Sequence, residues 1–172
     1  MNSALAVVVR ARRTWPWLAA AMLAPGLAVM ALRVAGVVSF AEPMQMFTSG
    51  DESASLFAMW KVLHGQDVYT SRFEPPFNAV FFNWLYYWFY GGCVDVLLTW
   101  GGLAEAWLPT AGRLVTLTGG GLAWLILALG IRKVSSLPAW TAAAAAATVV
   151  LGPLVGFWLV TVRPDLWALA LA

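Results

Sequence analysis

The sequence predicts an all-α fold: a polytopic transmembrane helical bundle with amphipathic interfacial helices in its first extracytoplasmic loop. Three observations carry that expectation. Apolar residues make up 62% of the chain and charged residues only 10%, against about 25% charged in ordinary soluble domains. Apolar runs recur at lengths near the roughly 20 residues a helix needs to cross a bilayer. Eleven tryptophans among 172 residues suit membrane interfaces, where an amphipathic ring prefers to sit.

Taken in order, the first run extends from Thr14 to Val38 and is preceded by Arg10, Arg12 and Arg13. Those charges place the N-terminus in the cytoplasm, because cytoplasmic flanks carry the excess of Lys and Arg. A cleaved signal peptide is the competing reading, since Ser39-Phe40-Ala41 resembles a cleavage site. The run is longer than an ordinary signal core and further spans follow, which favours an uncleaved signal-anchor. The second run, Gly112 to Ile131, is followed at once by Arg132 and Lys133. The third is Pro138 to Val162, with Pro138 suited to a first helical turn and Gly152-Pro153 expected to kink the helix. A fourth helix begins at Pro164. The pattern is that of the N-terminal portion of a longer polytopic protein, expected to be integral to a bacterial inner membrane.

The segment Pro76 to Gly102 has two readings. As a span it would put Arg132 and Lys133 outside the cell. As an interfacial helix it leaves them in the cytoplasm with the N-terminal arginines. The run Trp84, Tyr86, Tyr87, Trp88, Tyr90 also suits headgroup depth, so Phe77 to Tyr90 is expected at the interface. One outer loop then covers residues 39–111, and the third span returns Arg163, Pro164 and Asp165 to the same side. Topology thus brings Asp51-Glu52 and Asp165 to one membrane face.

One cysteine, Cys93, and one histidine, His64, leave no internal disulfide framework and no Cys- or His-rich zinc site. No cofactor is specified. A divalent cation, if used, would need carboxylate and water ligands, which suit hard ions such as magnesium or manganese. A net charge of +2 without a basic stripe excludes nucleic acid as a partner.

Within the outer loop, Asp51 to His64 fits an amphipathic helix with Leu56, Phe57, Trp60 and Leu63 on one face. Gly65 stands where a C-terminal stop belongs. Ser49-Gly50-Asp51-Glu52 matches a capping box, so both carboxylates have a structural reading as helix-start acids. Asp165 has the same reading after Pro164. Arg72 has one as a solvated loop charge, and Arg113 and Arg163 as snorkelling residues at span ends.

These elements, in this order, resemble the GT-C superfamily of membrane glycosyltransferases. The resemblance rests on the acidic pair Asp51-Glu52 after the first span and on Gly65-Gln66-Asp67-Val68-Tyr69 and Pro75-Pro76 beyond the amphipathic helix. It continues with Gly112-Arg113-Leu114 opening the second span and Arg163-Pro164-Asp165 ending the third. The chain is similar to the lipid-linked sugar transferases related to protein O-mannosyltransferases and aminoarabinose transferases. It departs from them at Glu74, where several relatives carry Lys, and in a longer stretch from Gly91 to Thr110. The resemblance implies a polyprenyl-phosphate-linked sugar as donor, with Asp51 as catalytic acid residue, Glu52 supporting it and Asp165 as second acid. Arg72, Arg113 and Arg163 are the candidates to meet lipid phosphate, to which arginine is well matched, and Tyr69 is a candidate substrate contact. Two other classes stay open at this point: a transporter or flippase segment, and a non-catalytic membrane subunit.

Overall fold

A computed structural model describes residues 17–18, 21, 23–28, 30–32, 35–36, 51–69, 73, 84–152, 162 and 165–172, and all the regular structure among them is helical. Helix α1 spans Asp51–Leu63, α2 Trp84–Gly101, α3 Leu108–Val134, α4 Ala139–Val150 and α5 Asp165–Leu171, with a 3-10 turn at Glu105–Trp107 leading into α3. Every described residue between Trp17 and Gly36 is also helical.

Two glycines decide where α1 and α2 stop. Gly65 and Gly102 have φ of 63° and 59°, a left-handed conformation that only glycine adopts without strain. At each, the residue beyond closes a wide turn: Gln66 N–H donates to Lys61 O at 2.8 Å and Leu103 N–H to Leu98 O at 2.9 Å. This is the Schellman arrangement for satisfying terminal carbonyls. The stop expected at Gly65 is therefore where α1 ends.

The 3-10 turn and α3 together, Glu105–Val134, form the one helix among the described residues that is long and apolar enough to cross a membrane. Thirty residues rise about 45 Å, more than the roughly 30 Å hydrocarbon core. It starts earlier than the expected Gly112 because Pro109 fits its first turn, and Arg132 and Lys133 close its last. Ser135 Oγ donates to Ile131 O at 2.6 Å and accepts from Leu137 N–H at 3.4 Å, shaping the turn into α4. Trp124 Nε1 donates to Ala143 O at 3.0 Å, pinning this helical hairpin. The alanine run of α4 allows close approach, and Thr141, Ala142, Ala144, Ala146 and Ala147 are buried.

Within the expected third span, Pro138 to Val162, Ala139–Val150 is helical and the next two described residues, Leu151 and Gly152, are not. Leu151 N–H still reaches Ala147 O, but Pro153 has no N–H to continue the ladder and disfavours helix at Gly152. Residues 153–161 lie outside the described set. Twelve residues rise about 18 Å, short of the hydrocarbon core by themselves.

The interior is unusual in what it holds. Glu52, Lys61 and Arg113 are buried beside Leu56, Met59 and three tyrosines, while Trp84, Trp88, Trp100, Leu125 and Leu129 are exposed. On α2 the aromatic run is two-faced: Tyr86, Tyr87 and Tyr90 turn inward, the tryptophans outward. Residues 86, 87, 90, 91 and 94 follow the helical repeat and form one stripe. The α1 face differs from expectation. Glu52, Ser55, Leu56, Ala58, Met59 and Lys61 are buried, whereas Phe57, Trp60 and Leu63 are half-buried. Of the expected apolar face only Leu56 is fully buried, and the enclosed positions are shared between Leu56, Ala58 and Met59 and the polar Glu52, Ser55 and Lys61.

Candidate functional site

The site is built where α1, α2 and α3 meet Val162, three residues before the start of α5. Glu52 lies in the first turn of α1, and its carboxylate crosses to Arg113, one turn into α3. Arg113 Nε donates to Glu52 Oε1 at 2.9 Å and Nη2 donates to Oε2 at 3.0 Å, both buried. The two parallel bonds match the planar guanidinium to the planar carboxylate. Val162 N–H also donates to Glu52 Oε1, at 3.3 Å. Neither Glu52 nor Arg113 has exposed side-chain surface.

α2 supplies the other polar contacts. Tyr86 Oη donates to Val162 O at 2.9 Å, and Tyr90 Oη lies 3.2 Å from Thr116 Oγ1. Thr116 Oγ1 in turn donates to Gly112 O at 3.3 Å. The tyrosine rings pack on each other with centroids 4.8 Å apart, within the favourable range for tilted aromatic pairs. On the far side, Trp167 of α5 donates Nε1–H to Val115 O at 3.0 Å and meets Phe89 edge to face at 4.9 Å. Beside it an apolar groove of about 900 Å³ runs between α2, α3 and α5, lined by Trp88, Cys93, Leu97, Leu114 and Trp167 among others.

The expected site residues divide into three groups. Glu52 and Arg113 come together, and their charges are engaged with each other in the interior; Arg113 does not snorkel to a surface. Asp51 and Asp165 open α1 and α5, and their side chains lie outside the described residues, as do Arg72 and Arg163 altogether. Tyr69 is half-exposed in the loop after α1. Its N–H donates to Asp67 Oδ1 at 3.0 Å, shaping the loop after α1. Partial desolvation pushes the Tyr69 phenol above its ordinary pKa. Among the described residues no group of three or more His, Cys, Asp or Glu could hold a metal ion.

Several contributors were not singled out from the sequence. Tyr86, Tyr90, Thr116 and Lys61 are interior polar groups, and Lys61 places its ammonium 5.2 Å from the Phe57 ring centroid. The i, i+4, i+7 spacing of Gly112, Thr116 and Gly119 was the signal that could have marked this face of α3 as a close-packing one. His64 and Asp95 have local roles. His64 Nδ1–H donates to Trp60 O at 2.8 Å, and Nε2 lies 3.8 Å from Glu105. Asp95 accepts from Thr99 Oγ1 at 3.3 Å.

No family model matches the chain, and neither a curated protein nor a solved structure matches it.

Proposed function

We propose that the protein is a polytopic membrane glycosyltransferase of the GT-C type, moving a sugar from a polyprenyl-phosphate donor to an acceptor hydroxyl on the extracytoplasmic face. The observation that carries this reading is the 3.3 Å hydrogen bond from Val162 N–H to Glu52 Oε1. Glu52 directly follows Asp51, and Val162 directly precedes Arg163-Pro164-Asp165. The bond therefore joins one acidic motif to the residue next to the other, 110 residues away in sequence. Tryptophan- and leucine-rich outer faces around a charged interior support the membrane setting, since in hydrocarbon the ionisable groups turn to the protein. The charge pattern orients it, with Arg10, Arg12, Arg13, Arg132 and Lys133 in the cytoplasm. The aromatic segment from Phe77 to Tyr90 belongs at the outer interface.

In this reading the Asp51 carboxylate accepts the proton of the acceptor hydroxyl as its oxygen bonds to the anomeric carbon. The bond from that carbon to the phosphate oxygen breaks, and polyprenyl phosphate leaves with the electron pair. Arg163 and Arg72 are the outer-side cations that offset charge on the departing phosphate. Asp165 orients the acceptor, or a divalent cation where one is used. Glu52 and Arg113 hold the frame.

Asp51→Asn tests the chemistry, because it keeps size and helix-capping capacity but removes the basic carboxylate. With a radiolabelled polyprenyl-phosphate sugar and membranes holding the full-length protein, transfer should vanish while expression and insertion stay normal. Wild-type transfer rates in that variant would sink the assignment.

A further inference from the structure

A reaction using positions 51 and 165 requires two helix starts, distant in sequence, to keep one geometry. The packing around Val162 provides a way to hold it. Val162 is fully buried and gripped from three helices. Its N–H donates to Glu52 Oε1 on α1 at 3.3 Å. Its carbonyl accepts from Tyr86 Oη on α2 at 2.9 Å. Its side chain fills the space over Gly112 on α3, with Cγ2 only 2.9 Å from where a Cβ would stand. A second hold lies just downstream. Trp167 donates to Val115 O at 3.0 Å, and its ring comes within 2.7 Å of where a Cβ of Gly119 would be. Gly112 and Gly119 are seven residues apart, about two turns and 10.5 Å along one face of α3. Asp165, the first residue of α5, falls between the two holds, three residues after one and two before the other.

We propose that the grip on Val162 is a positioning device: Glu52 and Tyr86 hold Val162 in its seat over Gly112 and so set the start of the Asp165 helix against the start of the Asp51 helix. This rests on the transferase reading, and in it Glu52 and Tyr86 are positioning residues that do not touch substrate. The two duties of Glu52 are separable. Its charge is answered by Arg113, whereas the geometry depends on an oxygen that accepts from Val162 N–H. An arginine at position 52 could restore an ion pair with a glutamate at 113, but it has no acceptor to offer Val162. Tyr86 allows a milder separation, because phenylalanine keeps the ring packed on Tyr87 and Tyr90 and removes only the hydroxyl.

The test uses the full-length protein in lipid nanodiscs, with Tyr86→Phe and the exchange Glu52→Arg/Arg113→Glu. Three quantities are read: the thermal midpoint, amide hydrogen exchange over residues 162–171, and kcat and KM for a polyprenyl-phosphate sugar. Tyr86→Phe should hold the midpoint within a few degrees, speed exchange over 162–171 severalfold and leave KM nearly unchanged. Its kcat should fall on the order of 10- to 100-fold, the scale expected of small misplacements of reacting groups. The charge exchange should regain the midpoint lost by Arg113→Glu alone, yet keep fast exchange and low kcat. Exchange and kcat both at wild-type values in Tyr86→Phe would overturn the proposal, as would a charge exchange that restores full turnover. If the exchanged pair fails to insert, Tyr86→Phe decides alone. A wild-type protein without transfer activity, in which Tyr86→Phe still loosens 162–171, would overturn the transferase reading and leave the grip standing as the element that places α5.

Discussion

Glu52 and Arg113, 61 residues apart in sequence, form a two-bond ion pair with no solvent exposure on either side chain. It ties the first turn of α1 to the first turns of α3. A buried pair adds little over a well-packed apolar pair, because desolvation offsets most of the attraction, but removing one partner strands a charge.

The first prediction follows from that asymmetry. Arg113→Met should destabilise the protein by about 3–5 kcal/mol, because the Glu52 carboxylate is left in the interior. Glu52→Gln/Arg113→Met should cost clearly less than Arg113→Met alone, since no charge is left uncompensated. Denaturation in mild detergent, run as a double-mutant cycle, measures the coupling. Additive single-mutant effects would mean that the pair is not a unit in the membrane.

Much of this frame was legible in the sequence, and the rest was hidden for physical reasons. The helix from Asp51 was readable because Gly65 marks its end, and the helix around Gly112–Ile131 because a long apolar run closes on Arg132 and Lys133. What periodicity could not supply was which side of α1 faces inward. The apolar face expected from Leu56, Phe57, Trp60 and Leu63 is fully buried only at Leu56, whereas Glu52 and Lys61 are enclosed beside it. The same limit hid the tyrosine face of α2: the run from Trp84 to Tyr90 reads as one aromatic belt until the helical repeat separates its two sides. The pairing of Glu52 with Arg113 was not legible either. Each residue was singled out for chemistry, and only the fold shows that they meet.

A second prediction concerns sidedness and follows from the lysine and arginine pattern. Ser136 lies exposed in the turn between α3 and α4, and Gln66 lies exposed after α1. In a Cys93→Ser background, Ser136→Cys should resist a membrane-impermeant maleimide in intact cells and react after permeabilisation. Gln66→Cys should react in intact cells. Labelling of Ser136→Cys from outside would reverse the orientation and move the start of α5 to the cytoplasmic side.

The last prediction concerns the contact that seats α5. Gly119 has no side chain, and the Trp167 ring occupies the space, with Cδ1 and Nε1 each 2.7 Å from where a Cβ would stand. That is closer than real carbon contacts come, and the ring is held by its bond to Val115 O and by Phe89. Gly119→Ala therefore cannot be absorbed by swinging a flexible chain end aside. The ring must shift, lose its hydrogen bond and open the α3–α5 contact, at a cost of about 1–3 kcal/mol typical of overpacking. Helix propensity acts the other way, since Ala is favoured over Gly by up to about 1 kcal/mol, so the sign of the measured change shows which effect wins. Steric displacement should win here. Trp167→Leu alone should destabilise by losing the packed ring, whereas adding Gly119→Ala to it should be neutral or stabilising, because the space is then free. A cycle in which Gly119→Ala stabilises the protein with Trp167 still present would show that the indole does not occupy this notch.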